Sequence, residues 1–253
     1  MILIAAGGTD PGRKRGNNED AYLIRDELGL YVVADGVGGS EGGEVASRVA
    51  VETMSAAMQD MIQRTEVDAL HSDPSNGIFQ SEKLRAAVTL ANQKIRQAQE
   101  KSQELVGMAT TMTVLLLQDE RAYLAHVGDS RAYLLRSGDI KQLTADHSLV
   151  AEHVRAGLLT AERARLSPYR HVITRALGID GDVEPDVYQH DLKKNDRFLL
   201  CTDGLTEMVD DQTIGRILEQ AAPEDAVRQL LDVANNAGGV DNITAIVVWI
   251  SEV

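Results

Sequence analysis

Leu30-Tyr31-Val32-Val33-Ala34-Asp35-Gly36 is an apolar run that ends in a carboxylate. A run of this length, rich in aliphatic side chains, reads as a buried strand. Asp35 therefore stands at the lip of the core, held rigidly and partly desolvated. The pattern recurs in Phe198-Leu199-Leu200-Cys201-Thr202-Asp203-Gly204 and in Leu124-Ala125-His126-Val127-Gly128-Asp129, and Asp241 opens the run that continues to Trp249. Several such carboxylates brought together repel one another strongly unless a cation sits between them. Hard divalent cations that prefer all-oxygen ligands are the natural occupants. The chain thus points to a metal-centred site on a β-rich scaffold.

Working outward, strand-like runs fall at about 2–8, 20–25, 29–34, 110–118, 121–127, 130–136, 196–202 and 242–250. Several follow one another across short turns such as Leu28-Gly29 and Asp119-Glu120, which favours antiparallel pairing over strand–helix alternation. Two helical patterns interrupt them: Val45, Val49, Met54, Met58 and Met61 in the first, and Leu84, Val88, Ala91, Ile95 and Ala98 in the second. Between these, His71 to Gly77 reads as a loop. Two more helices are expected near 210–220 and 223–237, with Pro223 in the first turn of the latter and Ala237-Gly238-Gly239 at its end. No repeat, low-complexity tract or linker divides the 253 residues, so one domain over 1–253 is expected.

Bulk properties exclude several classes. A formal charge of -14 argues against nucleic acid or an anionic membrane as the main partner. The single cysteine, Cys201, permits no intrachain disulfide and lies in an apolar run, where a buried, inert thiol is expected. The N-terminal Met1-Ile2-Leu3-Ile4-Ala5-Ala6 lacks a basic leader, and the longest apolar run, Ile243 to Ile250, is too short for a bilayer. A soluble, cytoplasmic protein is expected.

The motifs follow in order. Thr9-Asp10-Pro11-Gly12-Arg13-Lys14-Arg15-Gly16-Asn17-Asn18-Glu19-Asp20 carries three basic residues and then an acidic pair. After it come Asp35-Gly36-Val37-Gly38-Gly39, Val127-Gly128-Asp129-Ser130-Arg131, Thr202-Asp203-Gly204-Leu205 and Gly239-Val240-Asp241-Asn242. Each element alone is weak, since Asp-Gly is a common turn dipeptide. Together, in this order, they resemble the metal-dependent protein serine/threonine phosphatases of the type-2C (PPM) family in its compact bacterial form. The resemblance spans Thr9 to Trp249.

That resemblance implies an α+β fold, a four-layer α-β-β-α sandwich of two antiparallel sheets flanked by helices, with a flap subdomain at about 148–178. It implies two metal ions, Mn²⁺ or Mg²⁺, and a third, weaker ion. By position, Asp35 would bridge both core metals and Gly36 would offer its carbonyl to one. Asp203 and Asp241 would complete the other, and Asp129 with Asp203 would match the third. Glu19 and Asp20 would hold metal-bound waters, and Arg15 would grip the substrate phosphate. The implied activity is hydrolysis of phosphoserine and phosphothreonine in proteins by a monomer opposing a serine/threonine kinase. Its partners would be phosphorylated proteins, including such a kinase or its targets.

The chemistry suits the residues. Phosphate monoesters need acceleration of up to ~10²¹-fold. Paired cations acidify water and neutralise phosphoryl charge, and arginine offers a planar fork for phosphate oxygens. Competing readings stand beside each assignment. Asp35-Gly36 and Asp241-Asn242 also fit plain turns, and Asp129 could instead pair with Arg131. Glu19-Asp20 could be a solvated pair, although the strand that follows favours one of them facing inward. Asn242-Ile243-Thr244 matches a glycosylation sequon that a cytoplasmic chain would not use. His126 reads as a packed core residue. His147, in Thr144-Ala145-Asp146-His147-Ser148, either neighbours the active site or follows a helix cap made by Asp146. Many eukaryotic relatives have a candidate general-acid histidine after the Asp-Gly pair; Val37 stands there and donates no proton.

Arg155, Arg163, Arg165, Arg170 and Arg175 make the segment from Ser148 to Gly178 locally basic, which suggests guidance of phosphoprotein substrates or simply exposed helix charges. Gly38-Gly39-Ser40-Glu41-Gly42 matches a G-x-S-x-G elbow, but Ser40 follows a glycine stretch rather than the strand itself. Cys201 lacks the Cys-x₅-Arg loop, since Glu207 occupies the sixth position, and no Walker A is present.

Overall fold

The computed structural model describes residues 1–38, 42–68, 77–179 and 181–252. Along the chain run β1 (Ile2–Asp10), β2 (Asp20–Arg25), β3 (Leu30–Val37), α1 (Gly42–Asp68) and α2 (Gly77–Lys101). They are followed by β4 (Ala109–Thr110), β5 (Met112–Gln118), β6 (Arg121–Val127), β7 (Arg131–Arg136) and β8 (Asp139–Gln142). Two short helices, α3 (Leu149–Arg155) and α4 (Ala161–Arg165), precede β9 (Asp186–Asp191) and β10 (Arg197–Cys201). The chain closes with α5 (Asp203–Thr206), α6 (Asp211–Gln220), α7 (Pro223–Asn236) and β11 (Ile243–Glu252).

One sheet has the order β1-β11-β10-β7-β8, the other β2-β3-β5-β6-β9 with β4 beside β3, and every pairing is antiparallel. The period-2 alternation of each strand separates the cores. Along β3, Leu30, Val32 and Ala34 pack on the α1/α2 side, with Met54, Met58, Leu84 and Ile95, while Tyr31 and Val33 face the other sheet. Along β11, Ile243, Ala245 and Val247 pack against α6 and α7 through Ile214, Leu218 and Leu230. Ile246, Val248 and Ile250 meet Tyr31, Leu115, Leu124 and Phe198 between the sheets. The result is the expected four-layer α-β-β-α sandwich, with three apolar interfaces.

The methionines and alanines of the first two helical patterns are core: Met54, Met58, Ala91 and Ile95 are buried, and Val45, Val49 and Met61 pack at the margin. Pro223 sits in the first turn of α7, and Gly238 and Gly239 donate to the carbonyls of Asn235 and Ala234 at its end. Residues 71–76 of the expected loop lie outside the described residues, and Gly77 begins α2. No helix among the described residues is long and apolar enough to cross a membrane.

Candidate metal centre

The carboxylates meet where strand ends of both sheets converge. β2 and β3 pair so that Asp20 lies directly opposite Asp35, an arrangement in which two like charges repel. The Asp35 backbone is pinned: its N–H donates to Thr111 Oγ1 (2.9 Å), and its carbonyl accepts from Thr111 N–H (2.9 Å) and from the Thr110 hydroxyl (2.8 Å). From the other sheet, the hydroxyls of Thr202 and Thr244 donate to Asp20 Oδ2 at 2.8 and 2.6 Å. One carboxylate oxygen thus joins β2 to the end of β10 and the start of β11. Asp203 is the first residue of α5, just past the end of β10. Asp241 accepts from its neighbour's Asn242 N–H (2.8 Å) and from Arg15 Nη2 (2.7 Å).

Glu19 closes the opposite wall. A Cβ on Gly36 would overlap the carbonyl of Gly43 and come 2.5 Å from that of Glu19, and one on Gly43 would come 2.6 Å from Glu19 Oε2. Only glycines let the start of α1 lie this close to the Asp35-Gly36 peptide. Asn242 holds the loop: its Oδ1 accepts from Glu19 N–H (2.8 Å), and its Nδ2 donates to the carbonyls of Pro11 (3.0 Å) and Asn17 (2.8 Å). The sequon asparagine is therefore buried and fully engaged in packing.

Electrostatics follow from burial. Burial first, and then the charges of Asp20, Asp203, Asp129 and Asp241, push the Asp35 carboxyl well above the ordinary range. Burial raises Asp20 to about 7, against the pull of its two threonine donors, and Asp203 to about 6, reinforced by Glu207 and Asp241. Asp129 is likewise raised, by burial and then by Asp203 and Asp146. Glu19 is raised by burial, with Arg15 opposing. Asp20 Oδ1 and Asp203 Oδ1 are buried without a hydrogen-bond partner. Unpartnered oxygens and mutually repelling carboxylates are what a divalent-cation site presents when its ion is removed. The donor set therefore fits hard cations.

The competing readings resolve one by one. Asp129 does not pair with Arg131: that guanidinium binds Asp146 through three contacts of 2.7–3.1 Å. Asp146 is not the cap either, since Ser148 caps α3 by accepting from Ala151 N–H. His126 is wholly buried on Thr113, with its ring nitrogen 2.9 Å from the hydroxyl, and His147 contacts the turn before Asp129. Of the acidic pair, Asp20 faces inward and Glu19 lines the rim. Cys201 is buried, its thiol pushed up to about 12 by burial, and inert. Ser40, of the G-x-S-x-G match, and Gly39 lie outside the described residues.

Sequence reasoning missed His171 and Glu207. His171 Nδ1 lies 2.8 Å from Glu207 Oε1, and one donor atom each from His171, Asp203 and Glu207 fall within 4.8 Å of one another. The only available signal was Glu207 one helical turn after Asp203; nothing marked His171. A cleft of about 1100 Å³ runs from Asp129 and Asp203 beneath α3 and α4, with Arg155, Arg165 and Arg170 on its wall. Arg163 is not on that wall, and Arg175 is committed to Asp186 (2.8 Å) and to the Glu184 carbonyl.

A family model described as Protein phosphatase 2C matches residues 8–244. The chain belongs to the protein phosphatase 2C family. It is 38% identical to the protein phosphatase PhpP of Streptococcus pneumoniae over 96% of each protein. The crystal structure of the serine/threonine phosphatase PstP/Ppp of Mycobacterium tuberculosis superposes with a TM-score of 0.88 at 35% identity, covering 100% of both chains. The PstP catalytic domain in complex with two manganese ions gives 0.85 at 34% identity, covering 99% of both. The protein phosphatase 2C fold thus supplies the frame in which these carboxylates stand.

Proposed function

We propose that this chain is a metal-dependent protein phosphatase that hydrolyses phosphoserine and phosphothreonine in proteins, working as one domain over residues 1–253 with a flap at about 148–178. The reading is carried by one observation: Asp20, Asp35, Asp129, Asp203 and Asp241, from distant parts of the chain, share one acidic corner, where burial and the neighbouring carboxylates keep the protons of the first four on. Divalent cations bound there supply Lewis acidity that activates water and offsets phosphoryl charge.

In this reading Asp35, the Gly36 carbonyl, Asp203 and Asp241 hold the two core ions. Glu19 and Asp20 orient water at the rim and floor, and the threonine donors on Asp20 Oδ2 leave its other oxygen free for that task. Arg15, more than half exposed and tethered to Asp241, presents its remaining N–H groups to a phosphate. Val37, half exposed at the end of β3, offers no acid, so the leaving group takes its proton from elsewhere in the site. A third, weaker ion would sit at Asp129 and Asp203, where Glu207 and His171 add donors from α5 and the flap. The all-oxygen core suits Mn²⁺ or Mg²⁺. In the same reading the protein acts as a cytoplasmic monomer opposing a serine/threonine kinase.

Release of phosphate from a phosphothreonine peptide tests this reading. Turnover should require Mn²⁺ or Mg²⁺, stop with EDTA and vanish in Asp35→Asn. Metal-independent turnover would remove the proposal.

A further inference from the structure

We propose that His147 is a positioning residue for Asp129: its ring and backbone together clamp the Gly128 peptide that aims the Asp129 carboxylate, and the same residue joins this turn to both ends of the flap. The inference rests on the reading of Asp129 as facing a metal ion.

β6 ends at Val127, and the chain reverses through Gly128 at φ +110, where any Cβ would come 2.5 Å from Thr111 Cγ2. A glycine in that region has wide torsional freedom, so the direction of the next side chain depends on what holds the peptide. His147 holds it from both sides. Gly128 N–H donates to His147 Nδ1 at 3.0 Å, and His147 N–H donates to the Gly128 carbonyl at 2.7 Å. The other ring nitrogen, Nε2, lies between Arg175 Nη1 at 2.8 Å and Asp186 Oδ2 at 3.2 Å. Arg175 Nη1 fixes that carboxylate from Oδ1 at 2.8 Å. The ring, almost wholly buried, packs on His126 with centroids 4.8 Å apart.

The backbone of the same residue closes the flap. The His147 carbonyl accepts from Thr174 N–H at 2.8 Å, Ser148 bridges to Ile173, and Leu149 N–H donates to the Val172 carbonyl at 2.9 Å. The segment that carries Arg165, Arg170 and His171 thus departs from and returns to the residue that orients Asp129. Partners that orient a metal ligand from behind typically contribute 10–100-fold to affinity.

Two isosteric variants separate positioning from mere packing. Asn places an acceptor where Nδ1 stands; Gln places its amide near Nε2 and leaves Gly128 N–H without a partner. Amide hydrogen exchange at Gly128 on the metal-free chain should accelerate at least about tenfold in His147→Gln and stay near wild type in His147→Asn. In Mn²⁺ titrations by calorimetry, the weakest ion should bind about tenfold less tightly in His147→Gln, matching Asp129→Asn. The tighter ions and the His147→Asn profile should remain unchanged. Equal behaviour of the two variants in both measurements, or wild-type Gly128 exchange in His147→Gln, would overturn the clamp. If Asp129→Asn itself leaves Mn²⁺ binding untouched, the reading of Asp129 as metal-facing fails. The clamp then stands or falls on Gly128 exchange alone.

Discussion

The acidic corner and the flap beside it are built on opposite principles. At the corner, every carboxylate projects from within two residues of a strand end, and Asp35 and Asp20 are fixed by five hydrogen bonds with Thr110, Thr111, Thr202 and Thr244. The rigid backbone forces like charges together, and the chain tolerates the repulsion because the apolar sandwich behind it is large. In the flap, α3 buries no side chain and α4 only Ala164, while Leu158 and Leu166 are 73% and 84% exposed. Few buried contacts mean a segment near the low end of the stability scale. The proposed chemistry thus lies where the scaffold cannot move, and the proposed substrate contact where adjustment costs little.

The sharpest way to break this contrast is Asp35→Asn. Activity should fall by at least about 10³-fold, yet the Tm of the EDTA-treated protein should rise, because one member of a repelling, buried cluster is neutralised. A fall in both would show that Asp35 supports the fold and not a cation.

Next in size is the pH dependence contributed by Asp20. Its folded value of about 7 stands above the unfolded 3.8, so the folded state binds the extra proton. Its favourable contribution is complete below about pH 4 and is lost as pH rises towards 7. Against Asp20→Asn in EDTA, wild-type stability from urea titration should therefore decline by a few kcal/mol over that window. Saturating Mn²⁺ should abolish the decline. His126 runs the other way: burial holds it down to about 3, so its contribution is lost as pH falls from 6.5. A single wild-type melting profile would mix the two, and the variant pair separates them.

Smaller effects belong to the flap. Arg165→Ala with Arg170→Ala should raise KM for a phosphopeptide several-fold and leave an aryl phosphate unchanged, with Arg163→Ala, off the cleft wall, as the control. Equal effects on both substrates would count against docking. Smallest of all, Leu166→Ser should shift unfolding free energy by less than about 0.5 kcal/mol, given its exposure. A larger loss would mean that the flap is stapled down by contacts outside its own helices.

Legibility in the sequence follows the same divide. β3, β5, β6, β10 and β11 were readable because a strand buried on both faces must be apolar throughout. β8 and β9 were not, since edge strands such as Asp139–Gln142 and Asp186–Asp191 alternate with solvent and look like loop. α3 and α4 carry almost no core face and hence no periodicity. Among site residues, Asp35, Asp203, Asp241 and Asp129 announced themselves by ending or opening apolar runs. Glu207 and His171 sit on a short helix and on the flap, where no pattern in the chain points inward. Asp146 fits a cap by sequence, but it is taken by Arg131, a partner 15 residues away that only the β7 register brings near.

Composition and order alone thus settled that this chain makes buried, apolar strands with carboxylates at their ends, because strand burial is a local demand written into consecutive residues. Which carboxylates confront each other, which oxygen is left without a donor and which histidine reaches Gly128 were decided by register and packing. Those are relations between segments up to 224 residues apart, as from Asp20 to Thr244, and no local stretch encodes them.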